Sequence, residues 1–303
     1  MLAGWGQENE DRLDGAFAGG GWLAVPVVVV VVVVALMVLP RDVPPPGTAP
    51  SSGSSAPRIP TADSPAPSAP RQERPSPSPS PSPSQRQPSI DAAMARADSP
   101  DRSLVITVLG DSTGNDGDEW VASLARAISE EKGRTVVYHA WNASSGSYKP
   151  PLTFGAGLSP QPVTVWNGSA SGKGPTYSRV SLPTIAPVPS DVLIVSHGHN
   201  FTDAESGPAE EVELIDATAG QWARPPAVAV VLQNPTTTAA EAQAAKLEAV
   251  AATFAGSGVT VIDVESAFRA GPDLATLLQA DGTHPNAAGQ AMWLGAVRQG
   301  LGL

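Results

Sequence analysis

Five short runs of Val and Ile are the feature that most restricts how residues 101–303 can fold. Apolar side chains occupy nearly consecutive positions in each run, and the runs are LVITVLG, TVVYHAW, DVLIVSHG, AVAVVLQ and VTVIDV. A strand that is covered on both faces has this composition, whereas a strand with one solvent face alternates apolar and polar residues. The sequence therefore predicts a five-stranded parallel sheet.

Helical patterns lie between these runs. The segment EWVASLARAISEEKG places Trp120, Leu124 and Ile128 on one face and ends at Gly133, and Ala-rich segments follow the fourth run and close the chain. Strands that alternate with helices predict a three-layer α/β/α domain over residues 101–303. In such domains, sites form beyond the carboxyl ends of the strands, so the residues that follow each strand are candidate site residues.

Polar residues suited to nucleophilic catalysis follow three of the predicted strands. Ser112 follows the first, Asn200 follows the third, and Asp281 and His284 come after the fifth strand and a helical segment. A serine hydroxyl is a weak nucleophile until a base removes its proton, and an imidazole oriented by a carboxylate can act as that base. A single turn can bring Asp281 and His284 together. We also expect the Ser112 N–H to lie at a helix start, where the helix dipole would help it to bind an oxyanion.

These residues stand in segments that resemble the sequence blocks of the SGNH/GDSL hydrolase family. In chain order, the matching segments are Gly110-Asp111-Ser112, Gly172 in WNGSASGKG, Gly198-His199-Asn200 and Asp281-Gly282-Thr283-His284. The resemblance implies a flavodoxin-like fold and a triad of Ser112, His284 and Asp281. It implies an oxyanion hole formed by the Ser112 N–H, the Gly172 N–H and the Asn200 side chain. Ester hydrolysis by this set needs no cofactor or metal ion.

Two positions complicate the resemblance. The family often has Asp after the third-block Asn, where this chain has Phe201, and we expect this change to alter loop support more than catalysis. Gly146 in WNASSGSY is an alternative to Gly172 as the oxyanion glycine. Gly172 is preferred because a helical stretch and then the third strand follow it, as in the family.

Other polar residues near the site have simpler interpretations. Asp111 is expected to form a turn rather than to act as a catalytic acid. His197 and His199 could form a metal pair, but no third ligand is apparent in the sequence, so supporting polar roles are favoured. Residues 115–119 are expected to form a solvated, acidic helix start rather than a calcium loop, because they lack the EF-hand spacing.

The N-terminal 100 residues are organised differently. An acidic tail (1–15) precedes an apolar segment (16–39), and the uncharged core of that segment is 18 residues long, near the lower limit for a membrane-spanning helix. A removable signal peptide fits poorly, because the preceding residues are acidic and no Ala-x-Ala site follows. Residues 40–100 contain 17 of the 32 prolines and almost no large apolar side chains, which predicts a disordered linker. Such a stalk favours an extracytoplasmic domain, whereas the flanking charges do not decide the orientation.

Composition limits the remaining functions. The net charge is −11 and no basic stripe is present, which argues against nucleic acid as a partner. The chain has no cysteine, so a disulfide framework and a catalytic thiol are excluded. We expect a membrane-anchored bacterial serine esterase that acts on O-acetylated envelope carbohydrate or another small acyl ester. A non-catalytic glycan-binding module and an acyltransferase with the same residues are the alternatives.

Overall fold

The computed structural model describes residues 88–155 and 160–303. The strands are β1 (Leu104–Gly110), β2 (Val136–Asn142), β3 (Ser147–Tyr148), β4 (Leu152–Phe154), β5 (Val163–Asn167), β6 (Val192–Ser196), β7 (Ala227–Leu232) and β8 (Thr260–Asp263). The α-helices are α1 (Ile90–Met94), α2 (Trp120–Lys132), α3 (Pro175–Ile185), α4 (Ser206–Trp222), α5 (Ala240–Phe254), α6 (Val264–Ala270) and α7 (Ala287–Gly300).

One sheet contains all eight of these strands, in the order β3-β2-β5-β1-β6-β7-β8, with β4 also paired to β2. Six strands run parallel, while β3 and β4 pair antiparallel with β2. The predicted five-stranded parallel sheet is therefore wrong in two ways: it lacks the sixth parallel strand, β5, and it lacks the short antiparallel strands β3 and β4. The sequence of β5, VTVWN, alternates between buried and half-buried side chains, so it lacks the continuous apolar run that identified the other parallel strands.

The direction in which the chain winds changes at β1. When β5 is counted as the second strand, the central strands β5-β1-β6-β7-β8 have the order 2-1-3-4-5 of a flavodoxin-like sheet. β1 pairs with β5 on one side and with β6 on the other. A crevice forms at the carboxyl ends of the strands where the winding reverses, and residues beyond β1 lie at its centre.

Two apolar cores cover the two faces of the sheet, which confirms the predicted α/β/α layers. Leu104, Ile106 and Val108 of β1 belong to one core, with residues of α1, α2, α6 and α7. Leu109 belongs to the other core, with residues of α3, α4 and α5. α2 ends at Gly133, as predicted, and the φ of 60° at this glycine suits a left-handed helix cap.

The folded part begins upstream of the predicted boundary at residue 101. Ile90, Met94 and Ala97 are buried in the first core. The Arg96 guanidinium forms an ion pair with the Asp191 carboxylate, just before β6. The segment from α1 onward therefore belongs to the domain rather than to the linker.

The predictions for residues 1–87 lie outside the described residues. They are the acidic tail, the membrane anchor at 16–39 and most of the linker at 40–100. Within residues 88–155 and 160–303, no helix is both long enough and apolar enough to cross a membrane.

Candidate active site

Ser112, His284 and Asp281 form one hydrogen-bonded chain. The Oγ of Ser112 lies 2.7 Å from Nε2 of His284, and Nδ1 of His284 lies 2.5 Å from Oδ2 of Asp281. Ser112 is half-buried, while the side chains of His284 and Asp281 are 32% and 48% exposed. A hydroxyl, an imidazole and a carboxylate in this order can act as nucleophile, base and orienting group, and solvent can reach all three.

The end of β1 is shaped so that Ser112 projects into the crevice. A methyl group on Gly110 would lie 2.8 Å from the Oγ of Ser169 and 3.1 Å from the carbonyl oxygen of Ser196, so this position has room only for glycine. The buried Asp111 carboxylate accepts hydrogen bonds from the backbone N–H and the hydroxyl of Thr113, at 3.0 and 2.8 Å. Asp111 is thus a turn former, as its sequence context indicated.

The expectation that Ser112 lies at a helix start is wrong. α2 begins at Trp120, and Glu119 occupies its N-cap position. Ser112 instead lies in the turn that joins β1 to α2, because the Asp111 hydrogen bonds fold the chain there before any helix begins. The helix dipole therefore does not support the Ser112 N–H.

A tight turn holds Asp281 against His284. The Oδ1 of Asp281 accepts hydrogen bonds from the backbone N–H groups of Thr283 (2.9 Å) and His284 (3.0 Å). The hydrogen bond from the His284 ring and these backbone bonds lower the pKa of Asp281 to about 2. The carboxylate is therefore ionised at neutral pH. Because Nδ1 of His284 donates to it, the lone pair of Nε2 is directed at Ser112.

The loop after β7 supports this turn, and the sequence analysis missed it. Asn234 donates to the carbonyl oxygen of Thr283 (2.9 Å), and the Thr236 hydroxyl donates to the carbonyl oxygen of Gly282 (2.6 Å). Gly282 has a φ of 69°, and a methyl group there would lie 2.1 Å from the Oγ1 of Thr237. The available signal was position, since residues 234–238 directly follow the fourth apolar run at the same edge of the sheet.

Three hydrogen-bond donors near Ser112 have no acceptor among the described residues. They are the backbone N–H of Ser112, the backbone N–H of Gly172 and the second amide hydrogen of Asn200. The first amide hydrogen of Asn200 is donated to Oδ2 of Asp111 (3.0 Å), which also accepts a hydrogen bond from Gln233 (3.1 Å). Asn200 is thereby held beside the turn that carries the serine.

Further contacts join the Gly172 loop to the other two segments. The Ala170 N–H donates to the carbonyl oxygen of Gly110 (3.0 Å). Nδ1 of His197 lies 3.2 Å from the carbonyl oxygen of Lys173, and a methyl group on Gly174 would lie 3.2 Å from the carbonyl oxygen of Asn200. The loops that carry Gly172, Asn200 and Ser112 are therefore neighbours.

Gly146, the alternative oxyanion glycine, lies in the turn between β2 and β3. Its N–H donates to the carbonyl oxygen of Asn142 (2.9 Å) and closes that turn. A donor engaged in this way is not available to a substrate, so the geometry favours Gly172.

Protein atoms engage both histidines near Asn200. His197 is fully buried, and burial lowers its pKa to about 4, so its ring is neutral. Its Nδ1 donates to the Lys173 carbonyl and its Nε2 lies 3.0 Å from the Ser178 hydroxyl. Nε2 of His199 lies 3.2 Å from Oδ1 of Asn234. Both rings thus support the loops around the site.

Phe201, which stands where the family often has Asp, is buried beside Asn200. Its backbone carbonyl accepts a hydrogen bond from the Lys246 ammonium group at 2.7 Å. Its ring fills the space over Gly207, where a methyl group would lie 2.3 Å from the ring. Apolar packing therefore holds this loop.

The acidic segment before α2 is only partly solvated. Asp116 and Asp118 are exposed, as predicted for residues 115–119, but Glu119 is buried. Its carboxylate accepts a hydrogen bond from the Asp116 N–H (2.7 Å), and burial raises the pKa of Glu119 to about 7. The expectation of a wholly solvated helix start is wrong at Glu119, because the carboxylate folds back to close the turn.

Glu211 of α4 is a buried carboxyl group that should make the stability of the protein depend on pH. It is 1% exposed, one of its oxygens has no partner among the described residues, and burial raises its pKa to about 8 from an ordinary 4.5. Between pH 4.5 and 8, the folded protein keeps this proton and the unfolded chain releases it, so the contribution of Glu211 to stability falls as the pH rises. We expect Glu211→Gln to unfold several degrees higher than the wild type at pH 8, with a smaller difference at pH 5.

Thermal unfolding midpoints of the full chain at pH 5, 6, 7 and 8 measure this effect. Glu213→Gln is the matched control, because Glu213 lies on the same helix and pairs with Arg179 at the surface. It should keep the wild-type pH dependence. A difference between Glu211→Gln and the wild type that does not grow with pH would contradict the prediction.

No protein-family model and no curated protein matches this sequence. Among solved structures, a carbohydrate esterase family 3 protein from Talaromyces cellulolyticus is 19% identical, with a TM-score of 0.50 over 65% of this chain and 96% of that chain. A two-domain esterase (CEX) active on acetylated mannans is 15% identical, with a TM-score of 0.50 over 69% of this chain and 51% of that chain. This chain thus spans about half of that esterase.

A member of the lipolytic protein G-D-S-L family from Veillonella parvula is 14% identical, with a TM-score of 0.47 over 65% of this chain and 97% of that chain. At these identities, the first two likenesses show a shared fold. They agree with an α/β fold built on a mostly parallel sheet.

Proposed function

We propose that this chain is a serine esterase of the SGNH/GDSL type that hydrolyses small acyl esters. The observation that carries the proposal is the hydrogen-bonded chain from the Ser112 hydroxyl through the His284 ring to the Asp281 carboxylate, at 2.7 and 2.5 Å. A histidine with no catalytic role would need neither a serine hydroxyl at one ring nitrogen nor, at the other, a carboxylate held by two backbone N–H groups. This combination is suited to moving a proton from a hydroxyl to an imidazole.

The proposed reaction has two halves. Ser112 Oγ attacks the acyl carbonyl carbon while Nε2 of His284 takes the hydroxyl proton, and the protonated imidazole then gives that proton to the departing alkoxide. Water next attacks the acyl-serine, with His284 again as base, and releases the carboxylic acid and the free hydroxyl. Asp281 stays ionised throughout and stabilises the imidazolium.

The negative charge on the carbonyl oxygen is stabilised by the Ser112 N–H, the Gly172 N–H and the Asn200 amide. The two backbone N–H groups and the second amide hydrogen of Asn200 are available because no described residue accepts from them. Hydrogen bonds tie the loops that carry them to one another, so the donors need little reorganisation when charge develops.

The substrate we favour is an O-acetylated carbohydrate. Ser112, His284 and Asp281 are accessible at the surface, which suits a short acyl group carried on a large polar molecule. Two proteins with a similar fold are named as carbohydrate esterases or as active on acetylated mannans. The apolar segment at 16–39 and the Pro-rich residues 40–87 would hold the domain outside the cell membrane, close to envelope polysaccharide.

A fluorophosphonate probe tests the central claim. We expect the full chain to react with the probe at one serine, and peptide mapping by mass spectrometry to place the adduct on Ser112. Acetate release from p-nitrophenyl acetate and from acetylated sugars should accompany the labelling. An unlabelled chain that releases no acetate would overturn the proposal, and acetyl transfer to an added acceptor sugar would indicate an acyltransferase.

Replacing the side-chain donor should slow the chemistry selectively. We expect Asn200→Ala to lower kcat about 100-fold with little change in KM, because the amide would contact the oxygen mainly when it is charged. Asp111 keeps its hydrogen bonds from Gln233 and Thr113 in this variant. Steady-state kinetics with circular dichroism as the folding control measures the effect. A rise in KM at constant kcat would show that Asn200 only binds substrate.

A further inference from the structure

A polar cleft of about 360 Å³ opens beside the loop that carries Gly172. One wall is the end of β2 with the turn that follows it, including Trp141 and Asn142, and Lys149 beyond β3. The other wall is formed by residues 169–171 and Lys173, on either side of Gly172. A substrate whose carbonyl oxygen contacts the Gly172 N–H therefore has this cleft directly beside it.

The cleft concentrates positive charge in an acidic protein. The chain has a net charge of −11 and four lysines, and two of these, Lys149 and Lys173, line the cleft. Neither ammonium group forms an ion pair with any residue in the described part of the chain. The Lys173 ammonium lies 5.4 Å from the centre of the Tyr177 ring. Two cations that have no ion-pair partner in the described ranges and line one cleft favour an anionic ligand there.

The remaining lining suits a sugar rather than an acyl chain. It consists of three serines, two asparagines, two alanines and Trp141, which is its aromatic residue. The Trp141 indole N–H donates to the Tyr177 hydroxyl (3.1 Å), which fixes the ring as part of the wall. The amide of Asn115, another lining residue, lies 3.5 Å from the Asp116 carboxylate. Because that carboxylate repels a second anion, a substrate carboxylate is favoured near the lysines rather than near Asn115.

We propose that this cleft binds the carboxylate of a uronic acid residue next to the acylated sugar, with Lys149 and Lys173 as its partners. The presence of an acylated sugar next to the uronic acid depends on the proposed esterase function. The binding site for the carboxylate depends only on the residues that line the cleft. The chain would then select acidic, O-acetylated polysaccharide over neutral acetylated glycans. The lysines would act on substrate binding and not on the chemical step.

A binding experiment tests the cleft without relying on catalysis. Calorimetry on the full chain carrying Ser112→Ala would compare trigalacturonate with its neutral methyl-esterified form. We expect the anionic form to bind about tenfold more tightly at low salt, and the advantage to shrink at high salt because the lysines are exposed. Adding Lys149→Gln and Lys173→Gln together should remove the advantage. Lys132→Gln is the control, since Lys132 ends α2 and pairs with Asp98.

The outcomes separate this inference from the proposed function. Lysine-dependent binding of trigalacturonate supports the inference even in a chain that cleaves no ester. Equal affinity for the charged and neutral forms, or an advantage that survives the double substitution, overturns it even in an active esterase. Lysine-dependent binding to phosphatidylglycerol vesicles without trigalacturonate binding would also overturn it, because the anion would then be a lipid headgroup.

Kinetics adds a second readout. The substrates are an acetylated galactoside linked to a galacturonic acid residue and the same disaccharide with that carboxylate methyl-esterified, and we expect kcat/KM to favour the acid about tenfold. The double lysine variant should lose this preference through a higher KM for the acid, with the neutral substrate unaffected. A preference lost through kcat would contradict a role in binding.

Discussion

Ser112→Ala is expected to lower kcat/KM for ester hydrolysis by about 1,000-fold or more while the protein remains folded. The variant loses the atom that bonds to the acyl carbon, so no acyl-enzyme can form and only direct attack by water remains. The loss of Oγ removes one hydrogen bond, to Nε2 of His284, at a half-buried position. The cost in stability is therefore small beside the cost in rate.

The measurement compares acetate release and fluorophosphonate labelling in the wild type, Ser112→Ala, His284→Ala and the double variant. Residues that act as one unit are not additive, so the double variant should be no slower than the slower single variant. Ser257→Ala is the matched control, because its exposed hydroxyl donates to the Phe254 carbonyl at the end of α5. Retained labelling in Ser112→Ala would place the nucleophile elsewhere.

The parts of the fold that follow from continuous apolar runs could be predicted from the sequence. β1, β6 and β7 are buried along their whole length or nearly so, and such strands carry their signal in every residue. β5 is half-exposed on alternate residues, so its place between β2 and β1 depends on pairing across the sheet. Local sequence does not encode pairing between distant segments, and the extra strand was missed for this reason.

The same division applies to the candidate site. Ser112, Asn200 and the Asp281–His284 turn could be located because each follows a strand or lies within a local motif. The supporting contacts of Gln233, Asn234 and Thr236 could not, because they act on segments far away in the chain. The start of α2 at Trp120 could not be predicted either, because the Trp120 N–H donates to the side chain of Gln290, which is far away in the chain.

The Asp281→Asn variant should lose about 1,000-fold in kcat, and the reason lies in the backbone around the carboxylate. Two backbone N–H groups, of Thr283 and His284, point at Oδ1 of Asp281, so an asparagine must place its oxygen there. Its NH₂ group then occupies the position of Oδ2 and donates to Nδ1 of His284. The imidazole must carry its proton on Nε2, which faces Ser112, and it can no longer accept the serine proton.

The two substitutions at position 281 should differ in activity in an unusual order. Asp281→Ala removes the orienting carboxylate but does not force the wrong tautomer, so we expect it to retain more activity than Asp281→Asn. Asp273→Asn is the control, since that carboxylate caps the short helical segment at Leu274–Thr276 by accepting the Ala275 N–H. Steady-state kinetics on p-nitrophenyl acetate decides the order. An Asp281→Asn variant as active as the wild type would contradict the prediction. Nε2 of His284 would then still accept the serine proton, so residue 281 would not determine which ring nitrogen carries the proton.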